Sequence, residues 1–576
     1  MKEQSRPEFL IKKYYSILRS AIAVELVSFF VTLTDSLVAG NMIGSDTLIA
    51  VGILSPLVSI ELFISIVINS GTLLFYNQYI GKYDKKTADE YFGQGIILSV
   101  LSGLLIILGM LVFEDFYIDL FTLSPKIEQY TRNYYVLIVF YHAMNPLSCL
   151  LDNTMMSEGG EKLSAVANIA EIISNILLSV LFVKPFGIRG IALASVICKL
   201  LFFVIISRWF YKRVLSLIRS IKPQPEKWRE IFFNGVIRAS AAVFSSAADY
   251  ILLLYVSIKF GEETITILTI SINALEITSV FVGLSMVIQP LVGTLRGEEN
   301  TWGLRSFMNK VAICMSQIGI VISLITIVFA SYIVRMFGIE DGELLRQGTI
   351  MMRCLGLSFV FYAGSTLFFV YDYLMQKNGL SFMVAVMSRF VLPVFMTIVG
   401  VKITGSPIGL WIGVVSAPMI TLLLHMIVTI LVYGKDSFPW LVSKKMDQQI
   451  LCYDFVITEE NVVSLSETLV GRLEENGYTR KLASIAGVLV EDILLLTKDK
   501  NPEGKKIDAE CCVIMKVSEV RITLRDSGVI YDVTKCEKAE SLRDYVVSQI
   551  VTLPEEKHYL STTGYNRIEL LLSSKA

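Results

Sequence analysis

The feature that most constrains this chain is a long apolar region written twice. One copy runs from about Ser16 to Phe210, the second from about Phe233 to Val432. In the first, Tyr76-Asn77-Gln78-Tyr79-Ile80-Gly81-Lys82-Tyr83 closes an apolar span and leads through a charged stretch into the next. In the second, Ile288-Gln289-Pro290-Leu291-Val292-Gly293-Thr294-Leu295-Arg296-Gly297 does the same. Met155-Met156-Ser157-Glu158-Gly159-Gly160 likewise answers to Leu374-Met375-Gln376-Lys377-Asn378-Gly379. Landmarks repeated in one order and spacing point to parallel structural repeats, the plan of two-lobed transporters built around a cleft.

With 18% charged residues and a mean hydropathy of +0.61, the chain is too apolar for a soluble protein. Apolar runs of about eighteen residues are long enough to cross a bilayer as helices, and about twelve are legible here. Lys and Arg concentrate in alternate connections, above all between Arg208 and Arg229. The positive-inside rule then places the N-terminus in the cytoplasm, and an even number of spans leaves the C-terminus there too. The first fifteen residues are polar and basic with no apolar core, so no removable signal peptide is expected. The expected location is the plasma membrane, with the lipid bilayer as partner. Nucleic acid is not an expected partner. Eight cysteines show no paired metal-ligand spacing, and adjacent Cys511 and Cys512 on a strand point to opposite faces, so reduced thiols are expected.

Ionisable groups at bilayer depth cost several kcal/mol unless paired or hydrated, so each is a functional hypothesis. Glu25, Asp35, Glu61, Asp152, Glu171, Asp249, Glu276 and Asp372 lie in or near spans, with Lys199, Arg238 and Arg389. Asp152, Asp372 and Arg238 can reach a headgroup layer from helix ends, whereas Glu25, Asp35, Glu171, Asp249 and Glu276 lie deeper. A carboxylate in a dry lobe can hold a proton at neutral pH and exchange it for Na⁺ or a cationic substrate. The competing reading is that acids and bases simply pair to hold helices together.

Thr34-Asp35-Ser36-Leu37-Val38-Ala39-Gly40-Asn41-Met42-Ile43-Gly44, continuing through Leu48 to Pro56, resembles the first loop of the MATE family of multidrug and toxic-compound extrusion antiporters. Tyr76 to Ala88, Ser157-Glu158-Gly159-Gly160, Asn175 and Gly187 to Ala194 are similar to its later motifs. The resemblance implies an all-α polytopic membrane protein, with twelve helices in two pseudo-symmetric lobes, 16–211 and 233–433, joined by a linker at 212–232. It implies alternating access driven by H⁺ or Na⁺, with cationic or amphipathic small molecules as substrates; no catalytic site is expected, and with only His142, His425 and His558 no histidine metal site is expected either. Asp35 takes the place of the first-span coupling acid; Asn153 and Asn175 match polar positions in the fourth and fifth spans. One turn after that Asn the family often has Asp; here it is Ser179, and Glu171, one turn before, is the candidate substitute. In the second lobe, Asp249 offers an acid shifted by about a turn, and Ser365 and Thr366 stand near the place of a tenth-span acid. Tyr76, Asn77, Gln78 and Gln289 are candidates to line the cleft, with helix capping as the alternative.

After Tyr433 the composition changes. A basic linker at 434–449 leads to a soluble α+β domain at 450–576. Val490-Glu491-Asp492-Ile493-Leu494-Leu495, Arg525-Asp526-Ser527-Gly528 and Thr563 to Glu569 resemble the GHKL ATPase fold of anti-sigma-factor kinases. Glu491 takes the catalytic Glu position, Asp526 the adenine-binding Asp, and Gly528 its following glycine. Leu495 replaces the Mg²⁺-binding Asn, and Ser541 to Ile550 lacks the expected lid glycines, so ATP hydrolysis is not expected. A vestigial nucleotide site holding adenine at Asp526 and a surface for a cytoplasmic regulatory protein remain as the two readings. Two further readings of the whole chain stay open: a flippase for lipid-linked or polysaccharide substrates, which needs basic residues in its cleft, and a transporter-like sensor signalling through the C-terminal domain.

Overall fold

The computed structural model describes residues 8–19, 54–119, 124–213, 222–260, 262–336, 342–442, 450–516, 519–535, 541–562 and 564–573, with isolated positions between 21 and 51. Asp35 and Glu25 lie outside the described residues, as does the side chain of Glu276. Ten of the described helices are long and apolar enough to cross a membrane.

A short helix α1 at 8–19 precedes the first lobe. That lobe contains α2 (Ser55–Gly81), α3 (Lys85–Val112), α4 (Pro125–Ser157), α5 (Glu161–Phe186) and α6 (Ile188–Arg213). The second begins with α7 (Pro225–Phe260) and a broken segment of α8 (Glu262–Leu275), α9 (Ser279–Met286) and α10 (Ile288–Gly297). It continues with α11 (Thr301–Val328), α12 (Gly342–Leu374), α13 (Asn378–Val386), α14 (Leu392–Thr404) and α15 (Ile408–Tyr433). Sequence pattern reads 265–293 as one span, but Pro290 has no N–H to donate to Met286, where α9 ends and the chain re-enters helix. Pro393 likewise leaves the Arg389 carbonyl without its usual donor, and Met387–Val391 winds as a π-turn between α13 and α14.

The duplication is visible in the backbone. After α2, the amides of Lys82, Tyr83 and Asp84 donate to the carbonyls of Gln78, Ile80 and Tyr79. After α10, those of Glu298, Glu299 and Asn300 donate to Thr294, Arg296 and Leu295 in the same pattern. Tyr83 (φ 59°) and Glu299 (φ 61°) are both left-handed. Asp84 then caps α3 through the Thr87 amide, as Asn300 caps α11 through that of Gly303.

The lobes meet along seams where glycine lets backbones touch. A Cβ on Gly71 would stand 2.1 Å from the Ile231 carbonyl oxygen, and one on Gly235 2.0 Å from that of Val67. Nearer the C-terminal domain, a Cβ on Gly297 would stand 2.2 Å from the carbonyl carbon of Gly81. No side chain larger than hydrogen fits these crossings without moving a helix.

The C-terminal domain folds as β1 (Ile450–Val456), α16 (Glu459–Glu475), α17 (Arg480–Asp499), β2 (Asp508–Lys516), β3 (Glu519–Asp526), α18 (Leu542–Ile550), β4 (Glu556–Thr562) and β5 (Tyr565–Ser573). The sheet order is β1-β2-β3-β5-β4, every neighbour antiparallel. Thr458, Thr479 and Ser541 cap its three helices. Alternation puts Val513, Ile522, Leu524, Ile568 and Leu570 in one core with the apolar faces of α16 and α17. The opposite face carries Glu510, Arg525, Arg567 and Glu569, yet it too is buried, because it presses on the ends of both lobes. Cys452 and Cys512, directly paired across β1 and β2, form a disulfide, which corrects the expectation of reduced thiols for this pair. Sixty residues separate them, and only the strand register brings them together.

Candidate functional site

In the first lobe, polar side chains from α2, α4, α5 and α6 converge in an apolar surround. Glu61 accepts from Ser65 Oγ (2.6 Å) and Asn145 Nδ2 (3.1 Å) and lies 3.2 Å from His142 Nδ1. Asp152 accepts from Asn168 Nδ2 at 3.2 Å. Glu171, Asn175 and Ser179 recur every fourth residue, so they stack on one face of α5. Glu171 is ion-paired with Lys199 of α6 at 2.7 Å, and the ammonium sits 4.8 Å from the Tyr141 ring centroid. Asn175 Nδ2 donates to Ser195 Oγ at 2.9 Å. Among the described residues that leaves Asn175 Oδ1 and Ser179 Oγ buried without a hydrogen-bond partner, two neutral oxygens one turn apart on the face where Glu171 is already occupied. Asn153 is not part of this arrangement, because its amide donates to the Cys149 carbonyl of its own helix.

The second lobe differs. Asp372 and His425 form a fully buried pair (2.8 Å), with Phe368 stacked on the imidazole at 4.3 Å. Arg389, on the π-turn, donates to Thr366 Oγ1 (3.2 Å) and lies over the Tyr362 ring, which also feels the charge of Asp249. Arg238 of α7 is buried, with its guanidinium 5.0 Å from the Phe369 ring centroid and Nη2 unpartnered.

The four cleft candidates separate at the seam. Gln78 Oε1 accepts from Gln376 Nε2 across the lobes at 2.9 Å, and the Asn77 side chain packs against Gly293 of the other lobe. Gln289 is buried, with Nε2 unpartnered. Tyr76 turns back into its own lobe, donating to Glu158 at 2.7 Å.

At the end of the bundle that carries the C-terminal domain, Arg525 and Arg567 stand directly opposite on β3 and β5. Two like charges facing across a sheet repel. Glu298, in the turn after α10, resolves this by pairing Arg525 through one carboxylate oxygen and Arg567 through the other, the latter at 3.2 Å. Glu510 also pairs Arg525. Arg567 reaches the first lobe as well, donating to the Ile80 carbonyl at 2.6 Å and lying 3.8 Å from the Tyr83 ring centroid. One side chain thus touches both lobes. Burial pushes Glu569, beside this network, up to about 7. The N-terminal helix joins the junction through Asp454, which accepts from the amides of Glu8 and Phe9 (3.0 Å each). Sequence reading missed Glu298, Arg525 and Arg567; the one signal was arginine embedded in otherwise apolar strands.

Of the nucleotide-site candidates, Asp526 Oδ1 accepts from the Gly528 amide (2.9 Å) and from Asn566 Nδ2 (2.8 Å), and burial raises it to about 6. Glu491 lies half-buried on α17, and Leu495 belongs to the domain core.

The MatE family model matches residues 21–181 and 239–401, together more than half of the chain. A probable multidrug resistance protein of Bacillus subtilis (strain 168), YpnP, is 25% identical over 256 residues, which cover 40% of this chain and 56% of that protein's length. A solved MATE structure in a bent conformation aligns at a TM-score of 0.67 and 18% identity, covering 74% of this chain and 96% of that one. A MOP-superfamily transporter from Pyrococcus furiosus Vc1 (DSM3638) aligns with the same score and coverage at 19% identity. These likenesses to solved structures concern the fold.

Proposed function

Because this chain belongs to the MatE family, we propose that it is a secondary transporter, exporting amphipathic small molecules in exchange for H⁺ or Na⁺ by alternately opening the seam between its lobes. The observation that carries this reading is the seam itself. Backbones touch at Gly71, Gly235, Gly81 and Gly297, so the lobes close by rigid contact at the end carrying the C-terminal domain, and can part there without unfolding either lobe. The name of the Bacillus subtilis relative agrees with a multidrug role. Coupling is assigned to the first lobe. The proposed cation-binding set is Asp35, on the strength of the first-span motif alone, with the Asn175 and Ser179 oxygens that lack a partner among the described residues. The Glu171–Lys199 pair fixes the neighbouring helices.

The C-terminal domain is the regulatory part of this proposal. Opening the seam on its side requires Arg567 to release either the Ile80 carbonyl or Glu298, so a docked domain favours the closed arrangement. A cytoplasmic protein or nucleotide that displaces the domain would favour opening.

The test is uptake of fluorescent amphiphiles of either charge into inside-out vesicles under an imposed proton gradient, then a Na⁺ gradient, with wild type beside Asp35→Asn. We expect one gradient to drive uptake and Asp35→Asn to reduce it to background at normal expression. Full activity in that variant would refute the coupling assignment; no uptake by wild type with either gradient would refute antiport.

A further inference from the structure

Arg238 is the one buried cation in the described spans that meets no acid. The residue is 7% exposed, and Nη2 has no hydrogen-bond partner among the described residues. Among the described residues no carboxylate pairs with it. The charged group that does act on it among the described residues is another arginine, Arg389, and the two repel. Around it stand the Phe369 ring, with its centroid at 5.0 Å, and Tyr373, whose hydroxyl donates across the seam to the Ser70 carbonyl at 2.8 Å. Lys199 shows what this fold does with a buried cation of structural purpose: it supplies Glu171 at 2.7 Å. A guanidinium without such a partner carries several kcal/mol of uncompensated desolvation.

Position gives that cost a use. Ile231 and Gly235 are the α7 residues pressed on α2, and Arg238 follows less than one turn later. Parting the lobes would hydrate Arg238 and present a fork of N–H donors beside aromatic rings, the geometry that pairs a carboxylate or phosphate. Closing them would return it to the apolar surround of Phe369. A ligand that pairs Arg238 only while the seam is hydrated is bound in one arrangement of the lobes and released in the other.

We propose that Arg238 is the charge-recognition residue of a substrate site at the lobe seam, and that the substrate carries a carboxylate or phosphate on an apolar or aromatic body. This rests on the transporter reading above and departs from the sequence-based expectation of a cationic substrate.

Two dyes on one xanthene ring decide it: anionic carboxyfluorescein and cationic tetramethylrhodamine methyl ester, with binding measured by anisotropy on full-length protein in phosphatidylcholine nanodiscs. Wild type should bind the anion at least about tenfold more tightly, Arg238→Gln should lose about tenfold, and Arg238→Lys should keep most of the preference. A wild type that prefers the cation, or binds both alike, overturns the proposal without any variant, as does an Arg238→Gln protein that binds the anion unchanged. Competition by dihexanoylphosphatidylglycerol rather than naphthoate would identify a lipid headgroup as the source of the anion; the reverse would identify a soluble acid. Arg238-dependent binding without gradient-driven transport would sink antiport and leave the site standing. Transport of both dyes indifferent to Arg238 would do the opposite.

Discussion

The two lobes repeat one backbone and bury charge in opposite ways. In the first, Glu61 has three polar partners, Asp152 has Asn168, and Glu171 has Lys199. In the second, Asp372 has His425, but no carboxylate among the described residues pairs with Arg238, whose Nη2 has no hydrogen-bond partner there. Duplication has therefore preserved helices and turns while the interiors diverged. An interior whose ions are matched suits a site where a small cation enters and leaves without disturbing the lobe. An unmatched arginine at the seam suits a site that waits for a partner from outside.

The sharpest way to break this contrast is to remove one partner from each lobe. Lys199→Met should cost about 3–5 kcal/mol by leaving Glu171 buried and bare, and adding Glu171→Gln should recover most of it. Arg238→Met, which removes a charge with no partner, should be neutral or stabilising in the same thermal unfolding assay. Equal losses at the two positions would erase the distinction. A smaller effect is expected at the junction. Glu298→Gln should weaken docking of the C-terminal domain by about 2–3 kcal/mol, since Arg525 keeps Glu510 while Arg567 loses its ion-pair partner among the described residues. Faster amide exchange in β3 and β5, with both lobes unchanged, would show it. The smallest effect is a pH dependence. Glu569 rises from an ordinary 4.5 to about 7 through burial, so the docked state holds its proton more tightly than the free domain would. Its contribution is full below the ordinary value and declines as pH rises through about 7. Proteolysis near the 434–449 linker should therefore increase from pH 5 to pH 8, and Glu569→Gln should flatten that profile.

Much of the architecture was legible in the chain because it rests on local periodicity. Runs such as Lys85–Val112 and Ile408–Tyr433 are apolar throughout, and the repeated Gly81 and Gly297 landmarks marked the two copies. The strands of the C-terminal domain were legible for the same reason, from alternation in Leu451 to Ile457 and Arg567 to Leu572. What stayed hidden depends on register and docking. Cys452 meets Cys512 only through the pairing of β1 with β2, and Arg525 and Arg567 look like solvated edge charges until the lobe ends cover them. The fifth-span substitution of Ser179 for an acid was readable, but that Glu171 is held by Lys199 was not, because the two sit on different helices. The first-span acid, Asp35, remains a reading of sequence alone, being outside the described residues.

The matching turns at Tyr83 and Glu299 have one last consequence. With the same hydrogen bonds and the same left-handed residue, they offer the appended domain two sockets of nearly identical shape. Lys82 occupies in one the position that Glu298 holds in the other. The domain can therefore tell the two halves apart by the sign of a single side chain, and exchanging those two residues would ask it to choose the wrong half.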